Sequence, residues 1–492
     1  MKNPSASVAL ASFIALAAMG VWGQTAAYHA TVLGISDGRT TIQVEVPVGL
    51  NRWGQVIGTF GGGQSGGTHA VLWSPNTAND GFSAGSLFSI ESSTGMPPGT
   101  ADTKPTGLND RGQVTGQAYT PGQGDGNQNQ SWLWRPTILN STTGVLHGNA
   151  GAAIAFPLLS ITGYGSAAEY NQVINNKGTI AAYGISSRPL LWTPTTLNGK
   201  TGTWTYDANH GAPVTGINDS GQIVGSSCES VVWNGPYLHS GTFPLADSNV
   251  LSSSLWIPPN TGQCVGGASA INSKGHATVA AVSTANQIRA YLYKSPSVID
   301  VSAGLASTPL ALNSYDQIVG YADTDTRRAY LFQSGTAVDL NTLNDSTGGL
   351  LLRTAIAINT AGQILATGGY PGAGASVLLT PNALVSNPVL VTKGPLQISG
   401  TTYTQTVTVQ NNGTTTIKGP ISVALDGLTP GVTLSNKTGK TVYSGPGSVY
   451  ANVSTSDLAP TATTAAFTLV FSNPQLKTIN YTARVLGTPA PR

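Results

Sequence analysis

Charge is scarce in this chain. Of 492 residues only 9% are charged, 22 Lys and Arg against 20 Asp and Glu, and the formal net charge is +2. No Lys or Arg cluster breaks this thin distribution, which argues against the basic face that a nucleic acid or an anionic membrane would require. Cysteine is nearly absent. Cys228 and Cys264 are the two, and neither belongs to a Cys-x-x-Cys pair, so thioredoxin-type redox chemistry and a structural zinc site are not expected. Beyond the N-terminus no apolar run approaches the length needed to cross a bilayer. What the chain has instead is 61 Gly, 29 Pro and abundant Thr, Ser and Asn, with 40% hydrophobic residues. That much apolar content argues against disorder, and the turn formers point to an all-β chain.

Residues 1–23 have the layout of a signal peptide. Lys2 gives a short positive start, the run from Val8 to Met19 is apolar, and Val21-Trp22-Gly23 offers small residues at the cleavage spacing. A membrane anchor is the alternative, but the run is too short to span comfortably. The expectation is an exported protein, with no integral membrane segment once the signal is removed. In an oxidising compartment Cys228 and Cys264 form a candidate disulfide; closing that loop would stabilise the fold by about 3–4 kcal/mol.

One stretch recurs throughout: Gly216-Ile217-Asn218-Asp219-Ser220-Gly221-Gln222-Ile223-Val224-Gly225. Its frame, an apolar pair, Asn, then Gly three residues later and an apolar strand, returns at Asn51/Gly54, Asn109/Gly112, Asn175/Gly178, Asn272/Gly275 and Asn359/Gly362, and at Asn313 without the glycine. Asn at a first turn position accepts a backbone hydrogen bond two residues on, and Gly three later tolerates positive φ. Each frame is therefore expected to be strand, tight turn, strand, with Asn and Gly shaping the turn. A row of seven ligand-binding Asn side chains is the other reading.

After each hairpin comes a short apolar strand, in most copies with an aromatic near its end, as in His69-Ala70-Val71-Leu72-Trp73, Ser131-Trp132-Leu133-Trp134 and Pro189-Leu190-Leu191-Trp192. The aromatics are expected to be core rather than sugar platforms. The seven Asn positions average about 51 residues apart, a spacing of propeller blades. Units of three or four short strands cannot bury their own faces and must stack, and radial closure removes exposed sheet edges. The expected fold class is all-β: a seven-bladed β-propeller over residues 24–385, with the strand at residues 28–34 completing the last blade. From about Ser386 the repeat gives way to alternating runs such as Tyr403-Thr404-Gln405-Thr406-Val407-Thr408-Val409, about seven strands in a hundred residues. Residues 386–492 are thus expected to form a β-sandwich.

The alternation of Ala-Ile-Asn-x-x-Gly-Gln-Val-Val-Gly with His-Ala-Phe resembles the bacterial extracellular repeats named HAF, over roughly residues 28 to 382. The triplet is degraded here: His69-Ala70 keeps two residues with Val71 for Phe, and Arg289-Ala290-Tyr291 and Arg328-Ala329-Tyr330 are near matches. The resemblance implies an exported repeat protein and brings no catalytic residues with it. The C-terminal part resembles the immunoglobulin-like modules of bacterial surface proteins, without their disulfide.

Catalytic patterns are sparse. Gly63-Gln64-Ser65-Gly66-Gly67 matches a nucleophile elbow in letters, but lies between two strands and not between strand and helix. The six histidines show no metal spacing, and His69 and His276 fall in repeat strands. Asp125-Gly126-Asn127-Gln128-Asn129 begins like a calcium loop, yet its twelfth position is Pro136, not an acid, so calcium is weakly indicated. No catalytic residue, metal ligand or cofactor is assigned. The expected role is a secreted, non-enzymatic binding or scaffold module taking a neutral glycan or a protein. The alternative is a propeller glycoside hydrolase or lyase, which would need two carboxylates facing one pocket.

Overall fold

The computed structural model describes residues 26–36, 43–61, 67–82, 85–93, 102–120, 128–137, 151–155, 170–183, 189–206, 214–227, 235–239, 266–283, 287–295, 297–323, 326–333, 335–346, 349–385 and 388–487. The signal segment, Ser65, Asp125, Cys228 and Cys264 lie outside the described residues.

The chain is all-β, with only two three-residue 3-10 turns among the described residues. Seven antiparallel sheets follow one another in sequence: residues 46–89, 102–155, 170–206, 214–239, 266–300, 307–339 and 351–381. Within each, consecutive strands pair in order, so every sheet is a meander. The seventh differs. Its fourth strand comes from the other end of the chain, Tyr28–Ser36, paired with Ala373–Pro381 so that Tyr28 faces Pro381 and Val32 faces Val377. Each sheet touches the next, and the seventh touches the first through Leu351–Ile358 against Val46–Leu50.

The core lies between sheets. Ile57 and Leu72 of the first pack with Val114, Trp132 and Trp134 of the second. Leu365 and Leu378 of the seventh pack with Val56, Val71 and Trp73 of the first. Leu292 of the fifth meets Ile318 and Phe332 of the sixth. Alternation along each strand puts apolar side chains on both faces, because both are covered. The aromatics at the ends of the third strands are the largest part of this filling: Trp132, Trp134, Trp192 and Phe332 are fully buried. Each such ring contributes about 1.5–3 kcal/mol by leaving water.

The first two strands of most sheets slip register by one residue shortly before the turn, between Pro47 and Gly49, Pro105 and Gly107, and Pro309 and Ala311. Such a bulge sharpens the local twist. It also accounts for the glycine that ends the motif. Gly58, Gly116 and Gly320 sit opposite the residue before the slip, where the first strand comes close. A Cβ on Gly320 would lie 2.9 Å from Pro309 Cα and overlap the Thr308 carbonyl.

Beyond residue 388 two further sheets face each other. One runs Val389–Lys393, Thr402–Asn411, Phe467–Ser472, Thr433–Leu434; the other runs Gly439–Lys440, Val449–Ser454, Ile421–Asp426, Thr482–Leu486. Val407, Val409, Leu469 and Phe471 from the first meet Val423, Leu425, Ala451 and Val485 from the second in one core.

Candidate functional site

All seven motif asparagines occupy the same place, the turn between the first two strands of a sheet, and all are buried to 5% exposure or less. In each, the side-chain oxygen accepts the backbone N–H two and four residues on, as Asn109 does from Arg111 and Gln113 at 3.0 Å. The residue three after Asn has positive φ: Gly54, Gly112, Gly178, Gly221, Gly275 and Gly362 lie between +74° and +86°. In the sixth turn Asp316 takes that conformation, with φ +63°. Asp is among the few side chains that tolerate it.

The side-chain nitrogen does something the sequence did not announce. Asn51 Nδ2 donates to the carbonyl of Asn109, Asn109 to Asn175, Asn175 to Asn218, Asn218 to Asn272, Asn272 to Asn313 and Asn313 to Asn359, all at 2.9–3.1 Å. Asn359 then donates to the carbonyl of Asn51 at 3.1 Å, and the series returns to its start. A buried glutamine four residues on accepts from the same nitrogen in several copies, as Gln113 Oε1 does at 2.8 Å. Neither reading of the asparagines anticipated this cycle. The turn chemistry accounts for Oδ1 but leaves Nδ2 unassigned, and only the repeat of the whole frame hinted at its partner.

The turns of the first five sheets line a cavity of about 210 Å³. Its walls carry Leu50, Leu108, Ile174, Ile217 and Ile271, each the residue before the asparagine, and its polar groups are the motif residues Asn51, Asn109, Asn175 and Asn218 with the residues after them, Asp110, Asn176, Asp219 and Ser273. These link across sheets. Arg52 N–H donates to Asp110 Oδ1, Asp110 N–H to Asn176 Oδ1, and Asn176 N–H to Asp219 Oδ1, at 2.7–2.9 Å. The Asn176 amide reaches one oxygen of Asp110 and one of Asp219, each at 3.0 Å, so at most about 6 Å separates the two oxygens. Burial raises the Asp110 carboxyl above the ordinary range; the Arg52 N–H and guanidinium and the Asn176 amide oppose this, and the Asp219 charge adds to it. The site therefore offers hydrogen-bond acceptors and one carboxyl that takes up a proton more readily than usual. The sequence held one hint of it: Asp110 and Asp219 occupy the same position of the frame.

The other sequence candidates fall elsewhere. His69 Nδ1 meets Glu91 Oε2 at 2.7 Å and packs on Phe60, and His276 Nδ1 meets Asp316 Oδ1 at 2.8 Å. Among the described residues no three His, Cys, Asp or Glu side chains gather as a metal would require. No helix among them is long and apolar enough to cross a membrane.

Asp316 makes a further contact, to Lys294 Nζ at 2.8 Å. Burial alone would raise its carboxyl; the hydrogen bonds from Lys294 and His276 outweigh burial and hold it below the usual range. A depressed carboxylate contributes stability that is present above its unfolded value and lost as pH falls through its folded value. Thermal unfolding of the wild type should therefore move to lower temperature as pH drops below about 4. Asp316→Asn should flatten that dependence below about pH 4, and an unchanged slope there would show that the charge contributes nothing.

No family model matches the chain, and no curated protein matches it. Among solved structures, two glucose dehydrogenases are similar over 71% of this chain: one at 10% identity, 98% of its own length and a TM-score of 0.25, the other at 12%, 99% and 0.28. Scores this low carry no argument about fold or chemistry.

Proposed function

We propose that this chain is a seven-bladed β-propeller of the HAF-repeat type followed by an immunoglobulin-like sandwich, acting as a secreted, non-enzymatic binding or scaffold protein of the bacterial cell exterior. Seven consecutive four-residue-turn sheets, each touching the next and the last touching the first, support the propeller. Two facing sheets with one core support the sandwich. The ligand site is the cavity at the asparagine turns, and the observation that carries it is the convergence there of hydrogen-bonding groups from five sheets. Loops of a ring of sheets meet at its concave mouth, where ligands are usually held. At about 210 Å³ the cavity is smaller than the usual 300–1,000 Å³ of drug-sized sites. It suits one residue at the end of a neutral glycan, or a single protruding side chain of a protein.

The test is calorimetry of the mature chain with neutral cell-wall and plant glycans at low and high ionic strength. Binding should change less than about threefold, because an uncharged ligand has no charge–charge attraction to the site for salt to screen. Asp110→Asn and Asp219→Asn should each weaken binding about tenfold, the worth of one hydrogen bond to a charged group. Strong salt dependence would discard the neutral ligand.

A second reading, a glycoside hydrolase or lyase, is favoured by one observation: two carboxylates on a single Asn176 amide, one of them raised. Retaining glycosidases place their carboxyls at about 5–5.5 Å. Glycan turnover that Asp110→Asn abolishes would establish this reading in place of the first.

A further inference from the structure

We infer that the loop Thr441–Ser448 of the C-terminal sandwich is a structural part of the propeller, standing in for a connection that the seventh blade lacks. The connection in question joins the third strand of a blade to its fourth. In the first blade it carries Asn79 and in the third Asn198, both at positive φ. Each sits against the turn glycine of its own blade: a Cβ on Gly54 would lie 3.2 Å from Asn79 Cα, and one on Gly178 would lie 2.9 Å from Asn198 Cα. Each also offers its carbonyl to the glutamine of the preceding blade, Asn79 to Gln363 at 3.2 Å and Asn198 to Gln113 at 3.5 Å. Two copies of one loop, Ser74–Asn79 and Thr193–Asn198, thus do the same thing, filling the seam between neighbouring turns and pairing a buried amide.

The seventh blade cannot build this piece. Its fourth strand is Tyr28–Ser36, from the start of the chain, so nothing leads from the third strand to the fourth. The sequence opens as the others do, Thr380-Pro381-Asn382 beside Ser74-Pro75-Asn76, but Asn382 turns to the backbone of Ala26 and Ala27 and the chain leaves for the sandwich. At the seam, the same two contacts are made by the sandwich. Gln317 of the sixth blade donates to the Val442 carbonyl at 3.3 Å, and a Cβ on Gly362 of the seventh would overlap the Tyr443 carbonyl. Tyr443 also meets the ring of Tyr28 edge-on at 5.7 Å, at the root of the closing strand. The Tyr315 hydroxyl, close in sequence to Gln317, lies near Ser448. Within the sandwich the loop is held by Arg484, paired with Asp426 at 2.7 and 2.8 Å and reaching the Gly445 carbonyl.

The sandwich is therefore fixed over the turns of the sixth and seventh blades, on the same face as the cavity, whose walls come from the other five. It is the wall of the mouth on that side and not a freely tethered module.

Gly362→Ala and Gly221→Ala in the full chain separate this from simple backbone strain. Both glycines have φ near +83°, but a Cβ at Gly221 would meet nothing within 4 Å. Hydrogen exchange read by mass spectrometry should be at least about tenfold faster over residues 441–448 and 313–317 in Gly362→Ala than in Gly221→Ala, one decade being one lost contact of ordinary strength. Tyr443→Ala, which leaves both turns intact, should raise exchange over the same two stretches and over residues 26–30. If Gly362→Ala or Tyr443→Ala folds with wild-type exchange over 441–448, the inference fails; if Gly362→Ala does not fold while Gly221→Ala does, Tyr443→Ala alone decides it.

Discussion

Asn359→Ala should cost as much stability as Asn109→Ala, about 3–5 kcal/mol each, since each removes several buried hydrogen bonds and strands their partners. Asn109 sits among interior copies, and its amide pairs with the Asn175 carbonyl and with Gln113. Asn359 belongs to the last copy, yet its amide also has an onward partner, the carbonyl of Asn51 across 308 positions of sequence. In an open stack the last asparagine would end the series and its loss would be the milder by one bond. Urea denaturation of the two variants beside wild type measures the difference. Equal shifts of midpoint support a closed ring in solution; a shift for Asn359→Ala smaller by about 1 kcal/mol, the worth of one hydrogen bond, would open it.

Trp134→Ala should be comparably damaging, about 3–5 kcal/mol, as for other buried large aromatics cut to alanine. Trp134 is fully buried between the first and second sheets, with Phe88 at 5.8 Å between ring centroids and its indole N–H donating to Ser93 Oγ at 2.8 Å. No collapse of two paired sheets can refill that volume. Trp134→Phe should recover more than half of the loss while leaving any glycan binding at its wild-type affinity, because no part of the ring reaches solvent. A loss of glycan affinity in Trp134→Phe without loss of stability would make the aromatic a sugar platform after all.

Much of this architecture was readable from the residues, for identifiable reasons. The Asn-to-Gly frame specifies a turn through local hydrogen bonds, so each of the seven could be placed without tertiary knowledge. The strand at the start of the chain was legible as a leftover, since every other strand belonged to a repeat. Asp316 was not, because it substitutes for glycine by adopting its backbone conformation, and a search for glycine passes over it. The cavity pair Asp110 and Asp219 went unread although they align, because what brings them together is the angle between sheets, which no local pattern encodes. The Thr441–Ser448 contact lay further out of reach. Two of its contacts are made by backbone carbonyls, which are the same in every residue, and no spacing pairs the Tyr443 ring with Tyr28.

The pairing of Tyr28–Ser36 with Ala373–Pro381 also sets an order in time. Synthesis delivers the closing strand first and its partner some 340 residues later, so for most of the chain's manufacture that strand has an unsatisfied edge. Contacts of such long range form late and slowly. Until residue 381 has appeared, that edge is a template on which another strand could pair.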